Sequence, residues 1–330
     1  IVVNSNASAT EASFNLSRNN EALRKSLGRL SSGKRISNPA DDAGGLAVAY
    51  KLNSTINRSY AVIQNSQNSL SYLQVQDSAL ATVGKILDRM AELRTMAQDV
   101  TKNSGDVENY SKEFVELQSQ LRQVREEKFN GISLFSSHGS ITSESKSALE
   151  ADLQGVYIDG DGTTHNYNKY GRELRTHPNG DPTNGSVSLN VVNLEFILSI
   201  GGLQINTGST NKNLGGLTNT TDGTNGMISL GGNAFIANIK DVSVGQFVNS
   251  IAKLADARAE NGAEQNRIMN SINLLQTNVT NLEAAHGRIM DADIALESTR
   301  FARYNVLVQA SAAMTAQANQ MTNIALSLLG

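Results

Sequence analysis

The chain has 330 residues, of which 39% are apolar, 18% charged and 5% aromatic, and its formal net charge at pH 7 is −3. Without a strong basic field it is not expected to bind nucleic acid or an acidic membrane surface. Without cysteine it has no disulfide, thiolate nucleophile or Cys-ligated metal. No stretch approaches the roughly 18 apolar residues of a membrane span. Residues 1–5 lack the features of a cleaved secretory signal, which predicts a cytosolic protein or export by a route that reads no such signal.

The first 38 residues predict a helix with a narrow apolar stripe. The stripe residues follow one another at intervals of seven, the spacing at which helices pack along a seam; they are Ala9, Leu16, Leu23 and Leu30. Ser32 and Gly33 predict the end of this helix. Asn38-Pro39, followed by two aspartates, predicts the start of the next, with Asn38 as its N-cap.

Residues 42–100 predict a long helix with coiled-coil periodicity, because apolar residues recur every seven positions and proline is absent. The recurring positions are Ile56, Ile63 and Leu70, then Leu73, Leu80 and Leu87, then Val83, Met90 and Ala97. A second helix is predicted at about 108–128. The following Phe129–Phe135 predicts a turn that enters a hairpin.

The middle segment, 138–242, holds more than half of the 27 glycines and two of the three prolines. Apolar residues alternate along Ser186–Ile200, which predicts a strand pair or one bulged strand. A short helix is predicted at about 143–153. The middle segment is therefore predicted to be a small β-rich domain.

The helical pattern returns downstream, at 248–258 and 265–290, and the last 30 residues carry a second stripe with a seven-residue interval. That stripe consists of Leu307, Met314, Met321 and Leu328. A lone helix with so narrow a stripe is not stable in water, so the two ends are predicted to pair. The expected fold is mainly α: a long antiparallel helical coiled-coil bundle formed by both chain ends, with an inserted β-rich outer domain.

Four motifs connect this organisation with a known family. Residues 27–44 read LGRLSSGKRISNPADDAG, and residues 129–135 read FNGISLF. Near the end, residues 288–293 read RIMDAD, and QANQ at 317–320 is followed by LSLL. In this order they resemble the N- and C-terminal signatures of bacterial flagellin. The resemblance covers about 1–137 and 243–330.

The resemblance implies a division into five segments. Segments 1–38 and 293–330 would be filament-core helices, 39–137 and 243–292 the two parts of a helical coiled-coil domain, and 138–242 a variable surface domain. It also implies a structural subunit, without cofactor or enzymatic activity, that polymerises into the extracellular flagellar filament used for motility. The chain would be exported unfolded by the flagellar type III apparatus with an export chaperone, and would meet hook–filament junction and cap proteins.

The terminal stripes are the candidate self-assembly residues, because one partner helix cannot cover them and no other segment of the chain is free. Further copies of the chain would cover Ala9, Leu16, Leu23, Leu30, Leu307, Met314, Met321 and Leu328. Such head-to-tail or lateral contacts do not close, and they produce helical filaments. For the middle helices, at 42–128 and 248–290, the alternative interpretation is that the apolar stripes form the ordinary core of one chain.

Similarity to the family also singles out a possible contact with vertebrate innate immune receptors at Arg89, Leu93 and Glu113. Arg89 and Leu93 are four residues apart and so belong to one helix face. The alternative is that this face packs between subunits of the filament.

Catalytic chemistry finds little support in the sequence. Three histidines lie in Gly-rich loops and the fourth, His286, lies on a predicted helix, so no nucleophile and base converge. Asp159–Thr163 is similar to the start of a calcium loop, but Tyr170 stands where that loop has Glu, and a plain turn is the competing interpretation. Two further alternatives stay open: a hook–filament junction protein, or a secreted binding module or enzyme displayed by 138–242 on a helical stalk.

Overall fold

We describe the fold from a computed structural model, which describes residues 6–136, 149–158, 164–180, 185–199, 217–221, 228–233 and 235–327. Its helices are α1 (Ala7–Ser32), α2 (Ala43–Met96), α3 (Ser104–Arg125), α4 (Leu194–Ile197), α5 (Val244–Met290) and α6 (Ile294–Ser327), with a 3₁₀ turn at Ile239–Asp241. Its strands are β1 (Lys128–Phe129), β2 (Ile132–Ser133), β3 (Leu149–Ile158), β4 (Thr164–Arg175), β5 (Ser186–Val191), β6 (Leu217–Thr221) and β7 (Ile228–Asn233).

The chain forms two compact units. The terminal unit comprises 1–58 and 277–330, and the central unit comprises 59–276. The predominance of long helices and the pairing of the two chain ends confirm the expected fold class. The division into five segments rests on the family resemblance and not on contacts within the chain, so it stays a prediction.

The terminal unit contains α1, α6 and the joint between α1 and α2. One small core cluster of this unit consists of Ile36, Ala49 and Met290, with Leu46 and Ile289 packed beside them. As predicted, α1 ends at Ser32, and Gly33 follows with a φ of 69°, a left-handed conformation that glycine adopts without cost.

The predicted start of α2 at Asn38-Pro39 is wrong. The helix begins at Ala43, and the Asp42 carboxylate accepts a hydrogen bond of 2.8 Å from the Gly45 N–H at its first turn. The reason is that the Asp41 carboxylate accepts from the backbone N–H groups of Ser37 and Asn38, which holds this segment as a turn.

The core of the central unit follows the heptad positions of α2. Leu73, Leu80, Val83, Leu87 and Met90 are fully or almost fully buried, which confirms the predicted seam. The second predicted helix is α3, and it starts earlier than expected because Asn103 and Asp106 form a capping box. The two helical patterns at 248–258 and 265–290 lie on one uninterrupted helix, α5.

The β-structure only partly matches its prediction. β1 and β2 form the expected hairpin at Asn130-Gly131, and β3, β4 and β5 form an antiparallel sheet in that order. The strand expected across Ser186–Ile200 stops at Val191, because the Asn193 side chain caps the single turn of α4. The predicted helix at 143–153 is wrong from Leu149 onward, where β3 begins, and its earlier residues lie outside the described part.

No helix in the described part of the chain is long and apolar enough to cross a membrane. The described residues also contain no group of three or more acidic or histidine side chains placed to hold a metal ion. The calcium-loop candidate at Asp159–Thr163 lies outside the described residues.

Candidate assembly surface

The predicted stripe of α1 faces α6. Ala9, Leu16, Leu23 and Leu30 are each half-buried, whereas most residues between them are exposed. The helix is fixed at its start by Asn6, whose side chain accepts a 3.1 Å hydrogen bond from the Ala9 N–H. The sequence prediction therefore located the face of α1 that contacts its partner helix.

Three polar contacts set the antiparallel register of α1 and α6. The Asn6 amide donates to the Ala318 carbonyl at 2.8 Å. The Asn19 amide donates to the Ser311 hydroxyl, also at 2.8 Å. Nearer the joint, the Ser26 hydroxyl donates to the Glu297 carboxylate, which itself pairs with Arg300. As position rises on α1 it falls on α6, so the two helices run in opposite directions.

The helix pair buries polar side chains but no complete apolar core. Within α1 the only buried residue is Ser26, and over 294–320 of α6 the only buried residue is Glu297. The face of α6 toward α1 is half-buried; it consists of Phe301, Tyr304, Leu307, Val308, Ser311, Thr315 and Ala318. A helix is stabilised mainly by the apolar face that it packs, and in this pair that face stays partly open.

Large apolar side chains also point away from the pair. Met314 is 64% exposed and Phe14 is 65% exposed; Leu27, Ile294, Leu296 and Val306 are exposed as well. Of the predicted α6 stripe, Leu307 is half-buried against α1, Met314 lies on the outer surface, the side chain of Met321 is outside the described part, and so is Leu328. These exposed side chains belong to the same two helices whose packed face is incomplete, so the outer surfaces of α1 and α6 form a candidate subunit interface.

The sequence interpretation missed Phe14, Leu27, Leu296 and Val306 because they lie off the seven-residue stripes. On α6 the signal that finds Leu296 and Val306 is the even spread of apolar residues around the helix, since a helix that is apolar on all sides is covered on all sides. Phe14 and Leu27 lie on α1, where no such signal is present.

The joint, residues 33–42 between α1 and α2, is held by an ion pair and by two backbone hydrogen bonds to the end of α5 and the segment that follows it. Asp41 pairs with Lys25, and it also accepts from the Ser37 hydroxyl at 3.2 Å. The hydrogen bond from Lys25 lowers the pKa of Asp41 to about 2, with the backbone N–H groups of the turn adding to the effect against the opposing cost of burial. Across the joint, the Arg35 N–H donates to the Met290 carbonyl at 2.6 Å and the Ala292 N–H donates to the Gly33 carbonyl at 2.9 Å.

The three residues singled out as a receptor contact lie in the central unit. Arg89 forms ion pairs of 2.7 Å with both Glu113 and Glu92, and the Glu113 carboxylate is the main reason why the pKa of Arg89 is raised. Arg89 and Glu113 are about two-fifths exposed, but Leu93 is fully buried. Arg89 and Leu93 therefore do not share an exposed face, and Leu93 belongs to the core of the unit.

Arg89 also lines a groove of about 340 Å³ between α2 and α3. The apolar part of the groove is formed by Ile86, Leu117 and Val124, and Lys85 and Glu127 contribute charged groups. The exposed polar part of the predicted receptor contact is therefore next to a shallow apolar recess.

Comparison with known proteins identifies the family. Residues 3–140 match the bacterial flagellin N-terminal helical region, and residues 245–329 match the bacterial flagellin C-terminal helical region. A flagellin of Bacillus subtilis is 30% identical over 339 residues, and the match covers 99% of each chain. The chain belongs to the bacterial flagellin family. The members of this family are structural proteins of the flagellar filament. The prediction of a filament subunit rather than an enzyme is therefore confirmed.

Other relatives of this flagellin chain are similar along their whole length. The flagellar filament 41 kDa core protein of Borreliella burgdorferi is 26% identical over 337 residues, with 100% of both chains covered. Among solved structures, the crystal structure of Bacillus cereus flagellin is 21% identical with a TM-score of 0.38, covering 68% of this chain and 94% of that one. The two matched helical regions of the flagellin family include α1 and α6, the elements whose apolar surfaces are uncovered here.

Proposed function

We propose that α1 and α6 are the elements through which this flagellin polymerises, and that the half-exposed faces of the pair are completed by α1 and α6 of neighbouring copies. The observation that carries the proposal is the burial pattern of the pair, in which Ser26 and Glu297 are buried while the apolar side chains stay half-buried or exposed. Covering such faces removes apolar surface from water at about 25 cal/mol per Å².

The geometry of the pair favours an open polymer rather than a closed oligomer. The outer apolar residues lie on different sides of the two helices, so one copy can be contacted by more than one neighbour. Contacts between different patches of identical subunits generate helical assemblies when the rotation does not close. In this arrangement 1–38 and 293–330 form the filament core, 39–137 and 243–292 surround it, and 138–242 lies on the filament surface.

The proposal includes the route by which the chain reaches the filament. The chain is exported unfolded through the flagellar type III apparatus, accompanied in the cell by an export chaperone, and is added to an extracellular filament below its cap and beyond the hook–filament junction proteins. The names of the relatives, flagellin and flagellar filament core protein, favour the filament over the junction as its place. A binding module or enzyme displayed on a stalk gains no support from the described residues.

The experiment that tests the assembly role removes the terminal helices. A chain lacking residues 1–35 and 300–330 keeps every residue of the central unit, 59–276. We expect this chain to keep its α-helical circular dichroism and to stay monomeric in sedimentation at concentrations where the full chain forms filaments. Filaments formed by the truncated chain would overturn the proposal.

The proposed contact with vertebrate innate immune receptors is narrower than the sequence suggested. Arg89 and Glu113 would contact a receptor on free monomers, because their charged groups are half-exposed beside the groove between α2 and α3. Leu93 would act only by supporting Arg89 from the core. A binding measurement with Glu113→Gln tests this contact, and a change at Glu113 without effect on affinity would remove it.

A further inference from the structure

Three asparagine–glycine pairs in the described part of the chain have very different surroundings; they are Asn130-Gly131, Asn179-Gly180 and Asn261-Gly262. This dipeptide is chemically special. Glycine has no side chain to hinder rotation, so its backbone nitrogen can reach the side-chain carbonyl carbon of the preceding asparagine. The asparagines of two further pairs, Asn184 and Asn225, lie outside the described residues.

The reaction needs only the chain and water. The glycine nitrogen loses its proton and bonds to the asparagine Cγ, and the side-chain nitrogen leaves as ammonia, which closes a five-membered succinimide ring. Water then opens the ring at one of its two carbonyls. One opening converts asparagine to aspartate, and the other gives isoaspartate, in which the main chain runs through the former side chain and gains one carbon.

Asn130-Gly131 is free to react. The pair forms the two-residue loop between β1 and β2, with φ values of 51° and 79°, the pattern of a type I′ hairpin turn. Within the described part of the chain, neither the Asn130 carboxamide nor the Gly131 N–H has a hydrogen-bond partner. A side chain added at Gly131 would meet nothing within 4 Å, so the loop has room to rotate.

The other two pairs are restrained. At Asn179-Gly180 the attacking group is engaged, because the Gly180 N–H donates to the His177 carbonyl at 3.0 Å. Asn261 is buried inside α5. Its amide donates to Gln76 Oε1 at 2.8 Å and its Oδ1 accepts from Gln265 at 2.6 Å. The helix ladder also holds the Gly262 N–H, so both reacting groups of this pair are held.

We propose that Asn130 is a site of spontaneous covalent modification in the folded protein, which converts it to aspartate and isoaspartate, while Asn261 is protected by the fold. The order of reactivity is Asn130, then Asn179, then Asn261. The modification accumulates with the age of the chain, so Asn130 records how long a copy has existed.

Isoaspartate at position 130 changes the contact of the hairpin with α2. Phe129 meets Tyr72 edge to face, with ring centroids 6.1 Å apart, and the Tyr72 hydroxyl donates to the Ser133 carbonyl at 3.0 Å. An added main-chain carbon in a two-residue loop breaks the match between loop and strand pairing. Aspartate preserves the loop length, so only the isoaspartate product disturbs the contact of β1 and β2 with Tyr72.

The experiment follows the full-length folded chain during incubation at mildly alkaline pH, with and without urea. Trypsin releases Asn130 in the peptide 129–146, where it is the only asparagine, and Asn261 in the peptide 259–267. Mass spectrometry detects the replacement of NH₂ by OH in each peptide, and fragmentation separates aspartate from isoaspartate. Asn130→Gln is the control, because its longer side chain does not form the five-membered ring readily.

In the folded chain we expect Asn130 to convert at least about ten times faster than Asn261, since Asn261 reacts only after local unfolding. In urea the two rates should converge to within about a factor of two, because both pairs then have the same freedom. Equal rates in the folded chain overturn the proposal. An unchanged Asn130 in the folded chain that converts in urea also overturns it, since the hairpin would then protect the site.

Discussion

The substitution Asp41→Asn tests how the joint beside the terminal helix pair is held. The pKa of Asp41 falls from 3.8 to about 2 in the folded chain, a difference equivalent to about 2.5 kcal/mol in favour of the carboxylate. The Lys25 ammonium that contributes most is half exposed and therefore screened by solvent. We expect about 1 kcal/mol of the stability of the joint to come from this carboxylate.

Hydrogen exchange at the joint measures this contribution. The N–H groups of Arg35 and Ala292 cross between the two ends of the chain, to Met290 and Gly33, and exchange when the joint opens. A loss of about 1 kcal/mol corresponds to about fivefold faster exchange of these amides in Asp41→Asn at neutral pH. The matched control is Glu21→Gln, which removes the same charge from an exposed position on α1.

The stabilisation of the joint by the Asp41 carboxylate should depend on pH in a defined direction. A carboxylate whose pKa is lowered by folding stabilises the folded chain above pH 3.8, and that stability is lost as the pH falls toward 2. The difference in opening between the unsubstituted chain and Asp41→Asn should therefore shrink over this interval. Equal exchange rates at neutral pH, or a difference that is constant down to pH 2, would refute the reasoning.

Two other substitutions test the central unit. Gln118→Leu should lower the free energy of unfolding, measured in urea, by about 2–4 kcal/mol, because the buried N–H and carbonyl of Ile236 both lose their partner. The control is Gln120→Leu at an exposed position, and an equal loss of stability in both variants would contradict the prediction. Arg89→Ala should leave the thermal midpoint unchanged within error, because its pairs with Glu113 and Glu92 are exposed to solvent; a clear drop in the midpoint would show that these pairs stabilise the fold.

The sequence predicted long seams well, because one strong physical signal controls them. Spacing alone assigned Ile56, Ile63 and Leu70 to one track and Leu73, Leu80 and Leu87 to a second. All of them are buried except Leu70, which is half-buried. A side chain that repeats every seven residues over many turns has little alternative to packing along a partner helix.

The bounds of helices and strands were predicted incorrectly where the hydrogen bonds of a polar side chain determine the backbone conformation. Asn193 caps α4 and ends an alternating pattern that is otherwise typical of a strand. Asn261 is buried and bonded to Gln76, so α5 continues through a polar stretch that interrupts its apolar pattern. The Asn193 cap is local, since its partner Phe196 is three residues away, whereas Asn261 bonds to Gln76, which is distant in sequence. The spacing of apolar residues carries no information about either polar contact.

The candidate surface could be predicted only in part. The inner stripe of α1 was visible because Leu16 and Leu23 face α6 within the same chain. The outer residues, such as Val306, have no regular partner inside one chain. In the proposed filament they contact neighbouring copies, and periodicity along one sequence does not resolve several neighbours at once.

The assembly role of α6 is tested most directly by the reactivity of a thiol at Met314. The chain has no cysteine, so Met314→Cys carries a single thiol, at a position that is 64% exposed in the single chain. His177→Cys is the control, because His177 is exposed on the segment proposed to lie on the filament surface. Each variant is mixed as a minority with the unsubstituted chain, and its labelling by a maleimide is timed in monomers and in filaments.

If α6 lies in the filament core, the thiol at position 314 should react rapidly in monomers and at least about ten times more slowly in filaments. The reason is that the reagent reaches the thiol only when the subunit interface opens, and a tenfold effect corresponds to an opening free energy of about 1.4 kcal/mol. The thiol at position 177 should react equally fast in both. Equal reactivity of the thiol at position 314 in monomers and filaments would contradict the account.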